Sequence, residues 1–477
     1  MTRPITPLIS RRRALSLLGS AAGLVAAPAL AASPQCPRVP PVPTVTPPHP
    51  GPALGDLARA KGLTFGVEAG LASMKEYGAN IYDPAYLQLI LNEKPDYLAF
   101  GGQFIFSNVA TDPPHGDHLS LTNSAYNVTN TWFIANDISP KLQAAHVGAR
   151  ADALIWDDEQ ARQPWLRPIP RGASSDRAKN RDLDWNIARA EDYLRIAFDK
   201  FDELSAAAPG FMKIVSLVNE PLDPWVVPGR MAYRGTVFTP PGVVLDEHAG
   251  VAPYICDLYR LAGKLRGPRT KTTPTIIVNL AGTEPDQDGV LMREGSLRLL
   301  KMMRAEGLPF EGVGLEAHLQ PQMMNDPERP DWSAFGAFLD EVADLGLDIH
   351  LTELDVFDFE ASCNGRAGRT EESDALVAHY YESFLTRSLQ CKAVKSVCLW
   401  DLSDRYSFYR LFDVDTWFGY DRLPKGQRPD SWPKCAAMPA SPTEIPCPRP
   451  NAYDDRYHAK SARAAIARAL TAAPART

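Results

Sequence analysis

This chain of 477 residues is short of several features, and each shortage closes off a class of function. Its seven cysteines (Cys36, Cys256, Cys363, Cys391, Cys398, Cys435 and Cys447) form no Cys-x-x-Cys pair, which argues against zinc-ribbon and thioredoxin-type chemistry. There is no His-rich ligand set and no phosphate-cradling glycine loop, so no metal or cofactor is expected. Positive charge does not dominate either: 50 Lys and Arg against 57 Asp and Glu leave a net charge of −7 without a basic stripe. Nucleic acid and anionic membranes are therefore not expected partners. Beyond the N-terminal region no apolar run is long enough to span a bilayer.

What is present begins with "SRRRALSLLGSAAGLVAAPALAAS" (Ser10 to Ser33), an arginine cluster, a short apolar run and an Ala-x-Ala ending at Ala31. This pattern reads as a signal peptide over 1–32. The paired Arg11 and Arg12 suggest the twin-arginine route, and hence a periplasmic or secreted protein. Residues 33–52 are dense in proline and are expected to form an extended linker. In an oxidising compartment Cys435 and Cys447 are candidates to staple a proline-rich loop. Cys256 and Cys398 lie in apolar patterns and are expected as buried thiols, and the odd cysteine count leaves at least one free.

Residues 53–477 alternate strand-like and helical patterns. The strand-like runs are 63–68, 96–102, 152–156, 213–219, 275–279, 311–318, 348–353 and 396–400. Several are continuously apolar, as in parallel strands buried on both faces. Residues 190–208 place Leu194, Ala197, Phe198, Phe201 and Leu204 at helical spacing. Helices over 296–307 and 331–346 end on Gly307 and Gly346. Eight strands alternating with helices predict an α/β fold, a (β/α)8 TIM barrel with loop insertions. An open doubly wound sheet is the runner-up, but no Gly-x-Gly-x-x-Gly turn follows the first strand.

In such a barrel chemistry belongs at the C-terminal ends of the strands. Those ends carry Asn219 and Glu220, Glu316 and His318, Glu353 and Asp355, and Trp400. Taken singly, each has an ordinary structural reading. Glu220 before Pro221 suits a helix start, His318 and Trp400 suit a core, and Asp355 suits a solvated turn. Together, two carboxylates ending different strands on one rim suit glycoside hydrolysis, in which one protonates the leaving oxygen and the other attacks or activates water.

The segments "VNEPL" (218–222), "GVGLEAHL" (312–319), "TELDV" (352–356) and "LWDLSDRYSF" (399–408) resemble, in order, the signatures of family-10 glycoside hydrolases, chiefly endo-1,4-β-xylanases. The resemblance runs from about residue 60 to the final helix and is strongest after residue 189. It implies a retaining enzyme acting on a xylan-like polysaccharide, with Glu220 as acid/base and Glu353 as nucleophile. Asn219 would steady the reacting sugar and the nucleophile, and His318 and Asp355 would form a hydrogen-bonded chain to Glu353. Trp400 would floor the reacting sugar, with Trp156, Asp152, Phe408 and Glu316 at other substrate-binding positions.

The first half departs from the family. The usual Glu-Asn and Lys-Trp grip after the second strand is replaced by "GGQFIFSNVATDPPHGDH" (101–118), and Asp152 stands for a histidine. After the fifth strand "NLAGTE" keeps Asn279 and Glu284. Glu316 stands for a glutamine and Phe408 for a tryptophan. The insertion 417–450 either covers the cleft or forms a stapled surface loop. The losses fall at sugar-gripping positions, which leaves open a different β-linked polysaccharide, a transglycosidase, or a carbohydrate-binding barrel without turnover.

Overall fold

The structure is a computed structural model. It describes residues 43–44, 46–47, 50–69, 83–101, 104–106, 139–158, 165–285, 288–358, 370–407, 409 and 449–476. The signal-peptide region, most of the linker, most of 101–118, Phe408, the bulk of the 417–450 insertion, and Cys36, Cys363, Cys435 and Cys447 lie outside the described residues.

Eight parallel strands close on themselves: β1 Thr64–Glu68, β2 Tyr97–Gly101, β3 Gly148–Asp152, β4 Met212–Asn219, β5 Thr275–Leu280, β6 Gly312–Leu315, β7 Asp348–Val356 and β8 Val394–Leu399. β8 pairs with β1 from Thr64 opposite Ser396, which completes the barrel. Helices fill the crossovers: α1 Leu54–Arg59, α2 Pro84–Asn92, α3 Arg181–Ala207, α4 Pro253–Arg266, α5 Asp288–Ala305, α6 Ser333–Asp344, α7 Thr370–Ser388 and α8 Ser461–Ala472. The expected (β/α)8 barrel is the observed fold.

Local chemistry explains the helix bounds. α2 opens on Asp83, whose carboxylate accepts from the amides of Ala85 and Tyr86, with proline at the first turn. α3 begins at Arg181, well before the expected residue 190, because Asn180 caps it and Asp182 and Asp184 complement its N-terminal dipole. Its predicted apolar stripe, Leu194, Ala197, Phe198, Phe201 and Leu204, is buried. Each large side chain there contributes about 1.5–3 kcal/mol. The chain reverses at Gly307 and Gly346, both at positive φ, as predicted. Cys256 and Cys398 are buried free thiols, also as predicted, and so is Cys391.

The third strand needs correction. It runs over Gly148–Asp152, and 155–156 is a separate short stretch paired to the end of β4. Sequence reading placed it at 152–156 because 153–156 is an apolar run, whereas Arg150 does not look like a barrel-core residue. Arg150 is in fact fully buried inside the barrel, its Nη1 donating to the Thr352 carbonyl at 2.7 Å and its Nε and Nη2 reaching Ser216 Oγ. Around this guanidinium the interior carries an apolar cluster of Tyr97, Ala99, Ile214, Ile277 and Cys398. Gly66 makes room for it, since a Cβ there would sit 2.3 Å from the Tyr97 ring. His350 donates or accepts at Ser396 Oγ, 2.8 Å away, and burial beside Arg150 drops its pKa to about 3, so it is neutral. This packed interior is the floor on which the rim residues stand.

Candidate active site

Four strand ends bring the reactive side chains to one rim. β4 ends at Asn219, and Glu220 follows with φ 42°. β5 contributes Asn279. After β6 come Glu316, Ala317 at φ 60°, and His318, whose short strand pairs with Asp355. β7 contributes Glu353 and Asp355 from within the strand. Left-handed backbone at Glu220 and Ala317, both non-glycine, marks strain held where the strands break into the site.

Glu353 is built to stay ionised. Its Oε1 accepts from Asn279 Nδ2 at 2.7 Å, with Arg150 Nη2 3.7 Å away, and its Oε2 faces His318 Nε2 at 3.2 Å. Burial pushes its carboxyl up. The hydrogen bond and charge of His318, the charge of Arg150 and the Asn279 bond outweigh that and hold it below the usual glutamate range. His318 in turn lies 3.0 Å through Nδ1 from Asp355 Oδ1, which also accepts from the Tyr409 hydroxyl at 3.1 Å. Burial opposes charge on this ring, but Asp355 and Glu353 raise its pKa to about 10. It is therefore an imidazolium, donating to a carboxylate from each nitrogen.

Asn279 is the hinge of the network. Its amide nitrogen donates to Asn219 Oδ1 at 2.8 Å as well as to Glu353, and its Oδ1 accepts from the Thr352 hydroxyl at 2.8 Å. Gly314 opposite is required, because a Cβ there would lie 2.1 Å from Asn279 Oδ1.

Glu220 sits in a different environment. Burial pushes its carboxyl up, Arg234 pulls it back, and Asp158 and Glu353 push it up again, leaving it raised. Arg234 Nη2 is 2.6 Å from Glu220 Oε2, and its Nη1 is 2.7 Å from Asp158. Glu316 is pushed well above the usual range by burial and by the carboxylates of Glu220, Glu353, Asp152 and Glu284. Asp152 accepts from Arg150 Nη2 at 2.5 Å, yet burial and the charge of Glu353 push it up to about 7.

The rim thus gathers Glu220, Glu353, Asn219, His318, Asp355, Asp152 and Glu316. Trp400 joins them, its ring edge-on to His318 with centroids 5.9 Å apart. Trp156 is buried against Ile105. Sequence reasoning missed Arg150, Arg234, Asp158, Thr352 and Tyr409. It noted Asn279 as retained without giving it a role, although "NLAGTE" at a strand end was the available signal. Among the described residues Glu316, His318 and Glu353 bring donor atoms within 4.8 Å of one another. Both His318 nitrogens already meet carboxylates, so the grouping holds protons rather than presenting free metal ligands.

Fold and site define a class: a (β/α)8 barrel with two rim carboxyls whose proton affinities are pushed in opposite directions, an arrangement suited to glycoside hydrolysis. Within that class, residues 252–423 match the model of glycosyl hydrolase family 10. The matched span includes Glu316, His318, Glu353, Asp355 and Trp400. Glu220 lies outside it.

Endo-1,4-beta-xylanase A of Caldicellulosiruptor saccharolyticus is 33% identical over 124 residues, 25% of this chain and 35% of that protein. An endo-1,4-beta-xylanase of Geobacillus stearothermophilus is 29% identical over 125 residues, 26% and 36% of the two chains. The matched stretch spans about a third of the length of either. The fold is also that of xylanase 10B from Thermotoga maritima (TM-score 0.58, 17% identity, 88% of this chain and 98% of that one). It is shared as well by a Cellvibrio japonicus xylanase 10C solved in complex with xylopentaose (TM-score 0.62, 16% identity, 90% and 70%).

Proposed function

We propose that this protein is an exported, retaining β-glycoside hydrolase that cleaves β-1,4-linked xylan or a related polysaccharide. The observation that carries this reading is the opposed tuning of two facing carboxyls. Glu353 is held ionised by His318, Arg150 and Asn279, while Glu220 is held toward its protonated form by burial. Glu353 attacks the anomeric carbon and forms a glycosyl ester as Glu220 protonates the departing oxygen. Glu220 then removes a proton from the incoming water, which releases the sugar. His318 and Asp355 keep Glu353 oriented, and the Trp400 face supports the ring's C–H surface. The xylanase neighbours support a polysaccharide substrate, and the twin-arginine pattern supports export.

The test is incubation of the mature protein with xylans, glucans and mannans, with products read by mass. Xylan is expected to be cut, and Glu353→Ala to abolish release of reducing ends while the circular dichroism spectrum stays unchanged. Undiminished activity in that variant removes Glu353 from the mechanism. Glu220→Ala is expected to lose about 10²–10⁴ in rate on polysaccharide but far less on aryl glycosides with activated leaving groups. No cleavage of any glycan points instead to a carbohydrate-binding barrel.

A further inference from the structure

In the reaction above Glu220 serves as acid and then as base, so it must exist in both charge states. In the first half it gives its proton to the departing oxygen and is left as a buried carboxylate. In the second half that carboxylate takes a proton from water. A buried carboxylate without a cation is costly, and burial alone would hold the proton too tightly to be given up. Arg234 is the cation that offsets this, its Nη2 2.6 Å from Glu220 Oε2. The other titratable groups that bear on Glu220 are Asp158, Glu353 on β7 and Glu316 after β6, all acids. How firmly Arg234 is placed therefore matters to both half-reactions.

Two consecutive acids place it. The short stretch 155–156 pairs with the exit of β4, Trp156 opposite Asn219, and Asp157 and Asp158 follow directly. Asp158 holds the guanidinium, accepting from Arg234 Nη1 at 2.7 Å. Asp157 holds the backbone beyond it. Its Oδ1 accepts from the amides of Thr236 and Val237 at 3.1 and 2.9 Å, and its Oδ2 from those of Phe238 and Thr239 at 3.0 and 3.1 Å. The Thr236 hydroxyl adds a fifth bond, 2.7 Å to Oδ1. Asp157 is 2% exposed, and these donors, all from one turn, partly offset its burial. The turn is tight as well: a Cβ on Gly235 would sit 2.4 Å from the Thr239 carbonyl oxygen. Arg234 enters it with its own amide donating to the Pro221 carbonyl at 2.8 Å, one residue from Glu220. Arg234 is thus held at its side chain, at its amide and along the turn that follows it.

We propose that Asp157 is a positioning residue for the acid/base: by binding the 236–239 turn it fixes Arg234 against Glu220, and so keeps Glu220 able both to give a proton and to take one back. The inference rests on the hydrolase reading above. Among the described residues the Asp157 side chain hydrogen-bonds to this turn alone, and it acts through Arg234. Without its carboxylate the turn loosens, the guanidinium is no longer fixed beside Glu220, and the ionised form of Glu220 loses support. Removing the negative charge of Asp157 acts in the opposite direction, since it favours an ionised neighbour. The sign of the change separates the two effects.

The test follows Glu220 by ¹³C-carboxyl NMR titration of glutamate-labelled, ligand-free protein, its signal assigned by loss in Glu220→Gln. Asp157→Asn sets an amide group against the amides of the turn and is expected to raise the Glu220 midpoint by about half a pH unit or more. Thr236→Val removes only the hydroxyl bond and is expected to raise it less; it decides the question if the asparagine variant folds poorly. In an Arg234→Met background Thr236→Val is expected to move the midpoint no further, because the cation it helps to place is gone. The alkaline limb of kcat/KM on xylan is expected to move up with the midpoint. A midpoint unmoved or lowered in the folded variants, an equal shift in the Arg234→Met background, or a rate lowered equally at every pH overturns the proposal. If no glycan is cleaved, the hydrolase reading falls, and the NMR midpoints still decide whether the turn sets Arg234 against Glu220.

Discussion

Arg234 lies between two buried carboxylates, Glu220 at 2.6 Å and Asp158 at 2.7 Å, and nothing in "MAYRGTVF" marks it as part of a site. Its role depends on a partner fourteen positions earlier and another in a different loop, a relation no local pattern encodes. Arg234→Met is expected to raise the proton affinity of Glu220, because Asp158 and Glu353 then repel its charge with no cation to offset them. The alkaline limb of the pH–rate profile should move to higher pH. The same change strands two buried acids and is expected to cost about 3–5 kcal/mol, read from a denaturant midpoint. Glu353 and Glu220 were legible as strand-end acids, and the family resemblance implied Glu353 as the nucleophile and Glu220 as the acid, but the groups that set their different proton affinities were not all visible. That difference comes from His318 and Asn279 on one side and from burial on the other.

At the scale of elements, the short hairpin of 222–227 against 230–233 folds back over the end of β4 and delivers Arg234 to Glu220. Barrel strands were readable because each is a short apolar run between helical patterns. β3 was the exception, since its inward residues are Arg150 and Asp152 and its signal was polar. Closure of the molecule depends on a second buried ion pair joining its two ends. Arg463 on α8 donates through Nε to Glu93 at 2.6 Å. Glu93, at the C-terminal end of α2, also accepts from the Tyr453 hydroxyl and, at 2.7 Å, from the amide that starts α1. The Arg463 guanidinium also reaches the carbonyls of Pro50 and Pro52. Arg463→Met is expected to lose about 3–5 kcal/mol in chemical denaturation, with much of it recovered when Glu93→Gln is added. Equal losses in the single and double variants would show that the charge of Glu93 is not what the arginine offsets.

For the whole molecule, the buried network sets how stability varies with pH. Glu353 is held below its ordinary 4.5, so its contribution is present above that value and lost as pH falls through the lower folded value. His318 is raised from 6.5 to about 10, so its contribution is full below 6.5 and lost as pH rises through about 10. Asp152 is raised from 3.8 to about 7, and its contribution likewise declines across that interval. Together these groups place the stability maximum on the acid side of neutrality. The melting temperature is expected to fall steadily from about pH 6 to pH 10, and His318→Gln should flatten that fall above pH 6.5. Identical slopes in wild type and variant would mean that the His318 proton is not coupled to folding.

Alternation of apolar runs with amphipathic helices was enough to specify a barrel, because burial repeats at periods that the chain displays residue by residue. The order of strand-end motifs was enough to place Glu220, His318, Glu353 and Asp355 on one rim. The protonation of those acids, and the grouping of Arg150, Arg234, Asn279 and Glu316 around them, was decided only by the closed barrel. A carboxyl's proton affinity is set by depth of burial and by charges a few ångströms away, and here those charges come from strands and loops far apart in the chain.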